Sequence, residues 1–194
     1  ILFVANRAEF FYSHRMPIAH AARDRGFEVH ITTPRDPYVS NLKNNGFVWH
    51  ELELEGKNLN PIHELRTLIH LIQLYRTVRP ALVHHIAFKG VLYGSIAARV
   101  VNAFTGLGHL FSAETPKIRL VRWLVLQASR FGFGHPQSRT IFQNPDNIDE
   151  FVRRGILDPE RVRLVKGSGV DVSTFEPVRQ PEGTPIVILA SRLV

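Results

Sequence analysis

The 194-residue chain contains no cysteine. That excludes disulfides, thiolate zinc sites, iron–sulfur clusters and cysteine nucleophiles, and it fits a reducing compartment. No stretch approaches ~18 uninterrupted apolar residues, so nothing reads as a membrane-spanning helix. The opening run Ile1–Asn6 has no basic n-region or cleavage site; it reads as a strand, not a signal peptide. No Gly-x-Gly-x-x-Gly follows it, which weighs against a dinucleotide-dependent oxidoreductase, and there is no P-loop pattern. The aromatics form no RNP-like stacking strand and no zinc pattern accompanies them, so nucleic acid is not an expected partner. Acidic residues are also short: 17 Asp and Glu against 24 Lys and Arg leave a net charge of +7. Such an excess favours polyanionic partners, whether anionic lipid or phosphorylated substrates.

What is present is an alternation of strands and helices. Apolar runs at 1–6, 27–33, 47–54, 81–86, 100–104, 140–143 and 161–166 read as buried parallel strands. Helices are expected at 13–25 with Ser13 as N-cap, 36–45, 61–78, 89–99, 116–131 and 145–154. The helix over 61–78 is the clearest, with Pro61 in its first turn and Ile62, Leu65, Ile69, Ile72 and Tyr75 at helical spacing. Repeated strand–helix units with apolar strands imply a doubly wound α/β sheet with helices on both faces. Residues 172–185 hold three prolines and no periodicity, and 186–190 is one more apolar strand with nothing after it. The expected organisation is a Rossmann-like domain over 1–171, then a linker and the first strand of a second domain over 172–194. The 89–99 helix runs into the strand at Val100 without a turn. Either that helix ends early or residues are missing from the sequence near Arg99–Asn102.

In open α/β sheets ligands bind beyond the carboxyl ends of the strands. The unusual residues fall in those connections. Ser13, His14 and Arg15 open the first expected helix, where free amides and the helix dipole suit an anion and an arginine adds a bidentate phosphate contact. The same spacing also suits a plain N-cap with surface charge. His84 and His85 close a strand and point to opposite faces, so they cannot share one metal; one is expected to be a hydrogen-bonded core histidine. Lys89 sits at a helix N-terminus, unfavourable for stability unless an anion binds there. Gly106 and Gly108, two residues apart, permit close approach of a ligand to backbone. His109 could act as a general base but has no carboxylate neighbour in sequence. The 116–131 helix sets Lys117, Arg119, Arg122 and Arg130 beside Leu120, Trp123, Leu124 and Leu126. That stripe suits an anionic bilayer surface, and equally core packing with snorkelling arginines.

Taken in order, Phe10-Phe-Tyr-Ser-His-Arg-Met-Pro-Ile-Ala19, Val83-His84, Lys89, Gly94-Ser-Ile-Ala-Ala-Arg99, Thr105-Gly-Leu-Gly-His-Leu-Phe-Ser112, Ile141-Phe-Gln-Asn144, Gly167-Ser-Gly-Val-Asp171 with Phe175, and Ala190-Ser-Arg-Leu193 resemble family-4-type (group 1) glycosyltransferases. The similarity is closest to the branch extending undecaprenyl-diphosphate-linked sugars, and it covers essentially the whole chain. The resemblance implies a GT-B architecture, of which this would be the N-terminal half. It implies transfer from a nucleotide-sugar donor to a lipid-diphosphate-linked saccharide, usually with retention, and no metal or other cofactor. It implies a cytoplasmic protein, peripheral on the inner face of the membrane. Acceptor contacts would come from Ser13, His14, Arg15, Lys89, Thr105, Gly106 and Gly108. Donor contacts would come from Gly167, Gly169 and Arg192, the last matching an arginine that meets the donor diphosphate. Thr105-Gly106 stands where many members carry a histidine, so no catalytic residue is assigned; His14 and His109 are the candidates. With the remaining donor motifs beyond Val194, the fragment should fold without catalysing. Two other classes compete: an isomerase like UDP-N-acetylglucosamine 2-epimerase, whose carboxylate and histidine set is not evident, and a non-catalytic sugar- or nucleotide-binding module.

Overall fold

In a computed structural model of the chain, residues 1–52, 54, 61–86, 90–91, 100–104, 115–134, 137–167, 169, 173, 179 and 182–184 are described. The strands are β1 (Leu2–Val4), β2 (His30–Thr33), β3 (Val48–Glu51), β4 (Val83–His85), β5 (Val100–Phe104), β6 (Ser138–Phe142) and β7 (Val162–Leu164). They form one seven-stranded sheet in the order β3-β2-β1-β4-β5-β6-β7, parallel at every pairing. This is the expected doubly wound α/β arrangement, with the order reversing between β1 and β4. The helices are α1 (Ala8–Asp24), α2 (Val39–Asn44), α3 (Pro61–Val78), α4 (Pro116–Gly134) and α5 (Pro145–Arg153). Gly90 and Val91 are also helical. The proposed second-domain strand and the junction before Val100 lie outside the described residues.

Strand parity divides the core. Phe3, Ile31 and Ile86 pack with Phe11, Met16 and Ala19 of α1 and with Leu42 of α2. Their neighbours Leu2, Val4 and Val83 face the other way, against Leu71 of α3. On that second face, Phe104 and Phe142 meet Phe133 of α4 and Phe151 of α5, with ring centroids 5.2–5.9 Å apart. Such pairs contribute about 0.5–1.5 kcal/mol each beyond burial. Gly90 presses onto this face: a Cβ there would meet Val4 Cγ1 at 3.4 Å and His85 at 3.6 Å. Gly90 itself therefore lies close on the sheet after β4.

The first helix differs from expectation. It begins at Ala8, five residues before Ser13. Its N-cap, Arg7, supplies no side-chain hydrogen bond. The cap arrives instead from Asp36, in the connection after β2. Asp36 Oδ2 accepts from the amides of Ala8 (2.8 Å) and Glu9 (3.1 Å), and Oδ1 accepts from Tyr38 N (2.8 Å). A carboxylate is a strong cap because it also meets the positive end of the helix dipole. Sequence patterns locate a cap within a few residues of its helix; this one is 28 residues from Ala8.

Asp36→Ala is expected to destabilise the domain by about 1–2 kcal/mol, since it leaves three part-buried or exposed amides without their acceptor. Urea unfolding of both proteins reads this directly, and Asp36→Asn should recover part of the loss.

Candidate active site

Because α1 starts early, Ser13, His14 and Arg15 occupy its second turn, not its N-terminus. The amides at 13–15 are therefore engaged within the helix, and the amides at its start are engaged by Asp36. The expectation of a free helix N-terminus cradling an anion at Ser13 is corrected. What α1 presents is side chains.

Those side chains are fixed by their surroundings. Ser13 Oγ lies 2.9 Å from Glu9 O and 2.7 Å from His14 Nδ1. A hydroxyl has one proton to give. When it donates to the Glu9 carbonyl, His14 must donate Nδ1–H to Oγ. The imidazole is further held by stacking on Phe10, with centroids 4.6 Å apart and planes 16° off parallel. Ser13 thus acts on His14 before it can act on a ligand. Pro17 lies within the same helix and has no N–H for the carbonyl of Ser13.

Arg15 is half-buried, and burial draws its pKa below the usual guanidinium value; it stays charged. Its Nε is buried and has no hydrogen-bond partner among the described residues. The charge of Arg15 reaches His84, one residue before the end of β4. His84 is 5% exposed, packs its ring 5.3 Å from Phe3, and carries a buried Nε2 with no partner among the described residues. Burial, then the charges of Arg15 and His85, lower its pKa to about 3, so it is neutral at physiological pH. Arg15 and His84 thus each keep one buried nitrogen without a partner among the described residues, on the α1 face of the sheet.

His85 faces the opposite side and is the hydrogen-bonded core histidine that strand parity requires. Its Nδ1 lies 2.8 Å from Asn102 Oδ1 and its Nε2 2.7 Å from the Tyr75 hydroxyl. With Tyr75 donating to Nε2, the ring donates from Nδ1 and is neutral. Burial lowers its pKa to about 4, partly opposed by the Asn102 hydrogen bond, and pushes the Tyr75 phenol above its usual value. This buried triad ties β4, β5 and α3 together.

Of the remaining candidates, Gly167 and Gly169 follow β7 with φ of +76° and +72°. A Cβ would meet nothing within 4 Å at either position, so glycine is required there by the left-handed backbone, not by space. Lys89, Thr105, Gly106, Gly108, His109 and Arg192 lie outside the described residues. On α4, Leu126 and Phe133 join the core, whereas Trp123 and Leu124 are 57% and 52% exposed. The stripe therefore serves both packing and surface. Sequence reading missed His84 as a partner of Arg15, although helix and strand periodicity could have placed both on the α1 face. Among the described residues no group of three metal-ligating side chains occurs, and no helix is long and apolar enough to cross a membrane.

A family model described as glycosyl transferase 4-like matches residues 1–132. A curated relative from Campylobacter jejuni, N,N'-diacetylbacillosaminyl-diphospho-undecaprenol alpha-1,3-N-acetylgalactosaminyltransferase, is 27% identical over 184 residues. The match takes in 91% of this chain and 48% of the relative, so the chain spans about half the relative's length. Among solved structures, a glycosyltransferase from Rickettsia africae ESF-5 is similar with a TM-score of 0.58 at 12% identity, over 85% of this chain and 42% of that one. Anabaena Alr3699/HepE in complex with UDP and glucose is similar with a TM-score of 0.59 at 14% identity, over 89% and 45%. At these identities the likeness concerns the fold, the Rossmann-like layer of GT-B glycosyltransferases.

The two strand-end histidines predict acid sensitivity. Both folded pKa values lie below the ordinary imidazole value near 6.5. The unfolded chain therefore takes up protons first as pH falls. The contribution of the neutral rings is complete above pH ~6.5 and is lost from there towards about pH 4 for His85 and about pH 3 for His84. Urea unfolding at pH 5 should show about 2 kcal/mol less stability per histidine than at pH 7.5. In His84→Phe the acid loss should shrink by about half.

Proposed function

Since the chain belongs to the glycosyl transferase 4-like family, we propose that its protein moves a sugar from a nucleotide-sugar donor onto a saccharide carried on a lipid diphosphate, with retention, in bacterial glycan or polysaccharide assembly. The family match over residues 1–132 carries this reading. The printed name of the Campylobacter jejuni relative, whose substrate is a diphospho-undecaprenol-linked sugar, supports the acceptor class. The Anabaena structure with UDP and glucose supports the donor class.

On this reading residues 1–171 hold the acceptor, and 172–194 lead towards the donor side. Arg15 supplies the charge that meets the acceptor diphosphate, and Lys89 adds a second cation after β4. His14, held by Ser13 and Phe10, meets a sugar hydroxyl of the acceptor. Thr105, Gly106 and Gly108 contribute to the acceptor side. Gly167, Gly169 and Arg192 contribute to the donor side, with Arg192 on the diphosphate. The chemistry needs no resident metal when cationic side chains and helix termini balance both diphosphates. The protein works at the inner face of the cytoplasmic membrane, where such a lipid presents its head group.

In the complete enzyme, Arg15→Ala and Lys89→Ala should each lower kcat/KM for the lipid acceptor by about ten-fold or more, the equivalent of one charge-assisted hydrogen bond. The KM for the nucleotide sugar should change little. Unchanged acceptor kinetics in both variants would remove these residues from the site.

A further inference from the structure

The connection after β2 sets one exposed aromatic ring against another. Tyr12, in the second turn of α1, and Tyr38, at the start of α2, are each 37% exposed. Their ring centroids lie 5.7 Å apart, with planes 44° from parallel. Both backbones are anchored. Asp36 Oδ1 accepts from Tyr38 N, while Oδ2 of the same carboxylate accepts from Ala8 and Glu9 one turn before Tyr12. Ser40 Oγ donates to Pro37 O at 3.0 Å and closes the turn, and Val39 and Leu42 are buried beyond it. Rings held this way lose little conformational freedom when a ligand covers them.

The neighbours of Tyr12 on α1 decide what the rings suit. Glu9 precedes it by three residues and Arg15 follows it by three, and positions so spaced adjoin on a helix surface. The row Glu9–Tyr12–Arg15 runs about 9 Å along the axis. At one end Glu9 forms a solvent-accessible ion pair with Arg7. At the other is the cation assigned above to the acceptor diphosphate. A hydrocarbon chain would gain from the rings and leave the ion pair unused. A planar base would need a slot, and two rings already in contact leave none between them. A pyranose uses all three groups. Its C–H face lies on an aromatic ring, its hydroxyls bond to a carboxylate and a guanidinium, and a diphosphate attached to it reaches the next position along the helix.

We propose that Tyr12 and Tyr38 form a stacking platform for the first pyranose of the acceptor, the sugar joined to the diphosphate, with the Arg7–Glu9 ion pair beside it for the sugar's hydroxyls. This rests on the reading above, in which Arg15 meets the diphosphate, and adds to it the surface that distinguishes a glycosylated lipid diphosphate from a bare one. Asp36 acts through both rings as a positioning residue, since its carboxylate fixes the backbone beside each.

The test is calorimetric titration of the complete protein, in detergent, with a short-chain polyprenyl diphosphate in three forms: bare, carrying glucose, and carrying N-acetylglucosamine. The wild type should bind at least one glycosylated form about five-fold or more tighter than the bare lipid. Tyr12→Ala and Tyr38→Ala should each remove most of that preference and leave the affinity for the bare lipid in place. Tyr12→Phe should keep the preference, because stacking needs the ring and not the hydroxyl. Phe27→Ala, at an aromatic residue 47% exposed before β2 at the opposite end of the sheet, should also keep it. Circular dichroism establishes that each variant is folded, and Tyr12→Leu replaces Tyr12→Ala if that one is not. Three results overturn the proposal: a wild type that prefers neither glycosylated form, a preference that survives both alanine variants, or equal weakening of bare and glycosylated lipid by those variants, which would make the pair a packing contact only. Each of these leaves the glycosyltransferase reading in place. A wild type that binds none of the three lipids fails that reading, and this inference with it.

Discussion

The carboxylate of Asp36 takes the place that an anion would ordinarily hold at the start of α1. In a doubly wound sheet the helix after β1 presents its amides to the carboxyl rim, the ordinary place for a phosphate. Here a side chain from the next connection already holds those amides. The connection after β2 is thereby tied to the start of α1, and the whole of α1 is positioned relative to β1 and β2. On the proposed reading the acceptor diphosphate is met instead by side chains of the second turn of α1, Arg15 and His14.

The second constraint is the burial of the sheet on both faces. Helices cover β4 so completely that His84 and His85 are 5% and 0% exposed, and each responds to its own face. His85 meets Tyr75 and Asn102 and is satisfied at both nitrogens. His84 meets Phe3 and the charge of Arg15, and its Nε2 has no partner among the described residues. Two adjacent residues of one type therefore have different surroundings: one stitches the core, and one feels the charge of Arg15 on the α1 face.

Much of this was readable from sequence, for identifiable reasons. The α3 boundaries, Pro61–Val78, follow from a proline in the first turn and an Arg79-Pro80 stop, both local signals. The β5 span, Val100–Phe104, follows from a short apolar run between polar neighbours. The opposite facing of His84 and His85 follows from strand geometry alone. The start of α1 did not follow, because its cap is supplied through tertiary contact and Ser13 offered a nearer, misleading one. Ser13 in fact bonds back to the helix and to His14, a local competitor for the cap role that this residue type often plays. The exposure of Ile62, Leu65 and Ile69 was also hidden. Their spacing reads as a core stripe, and only Leu71, Thr67 and the strands beneath show which side of α3 the core takes.

The central claim is that the charge of Arg15, beneath the rim and beside neutral His84, contacts the diphosphate of a lipid-linked sugar. Nuclear magnetic resonance of the arginine Nε–H groups, during titration with a short-chain polyprenyl-diphosphate sugar, observes that contact most directly. The account predicts a saturable downfield shift of the Arg15 Nε–H signal, accompanied by the His84 imidazole, with the unphosphorylated saccharide producing neither. An Arg15 signal that stays in place while the acceptor binds would contradict it.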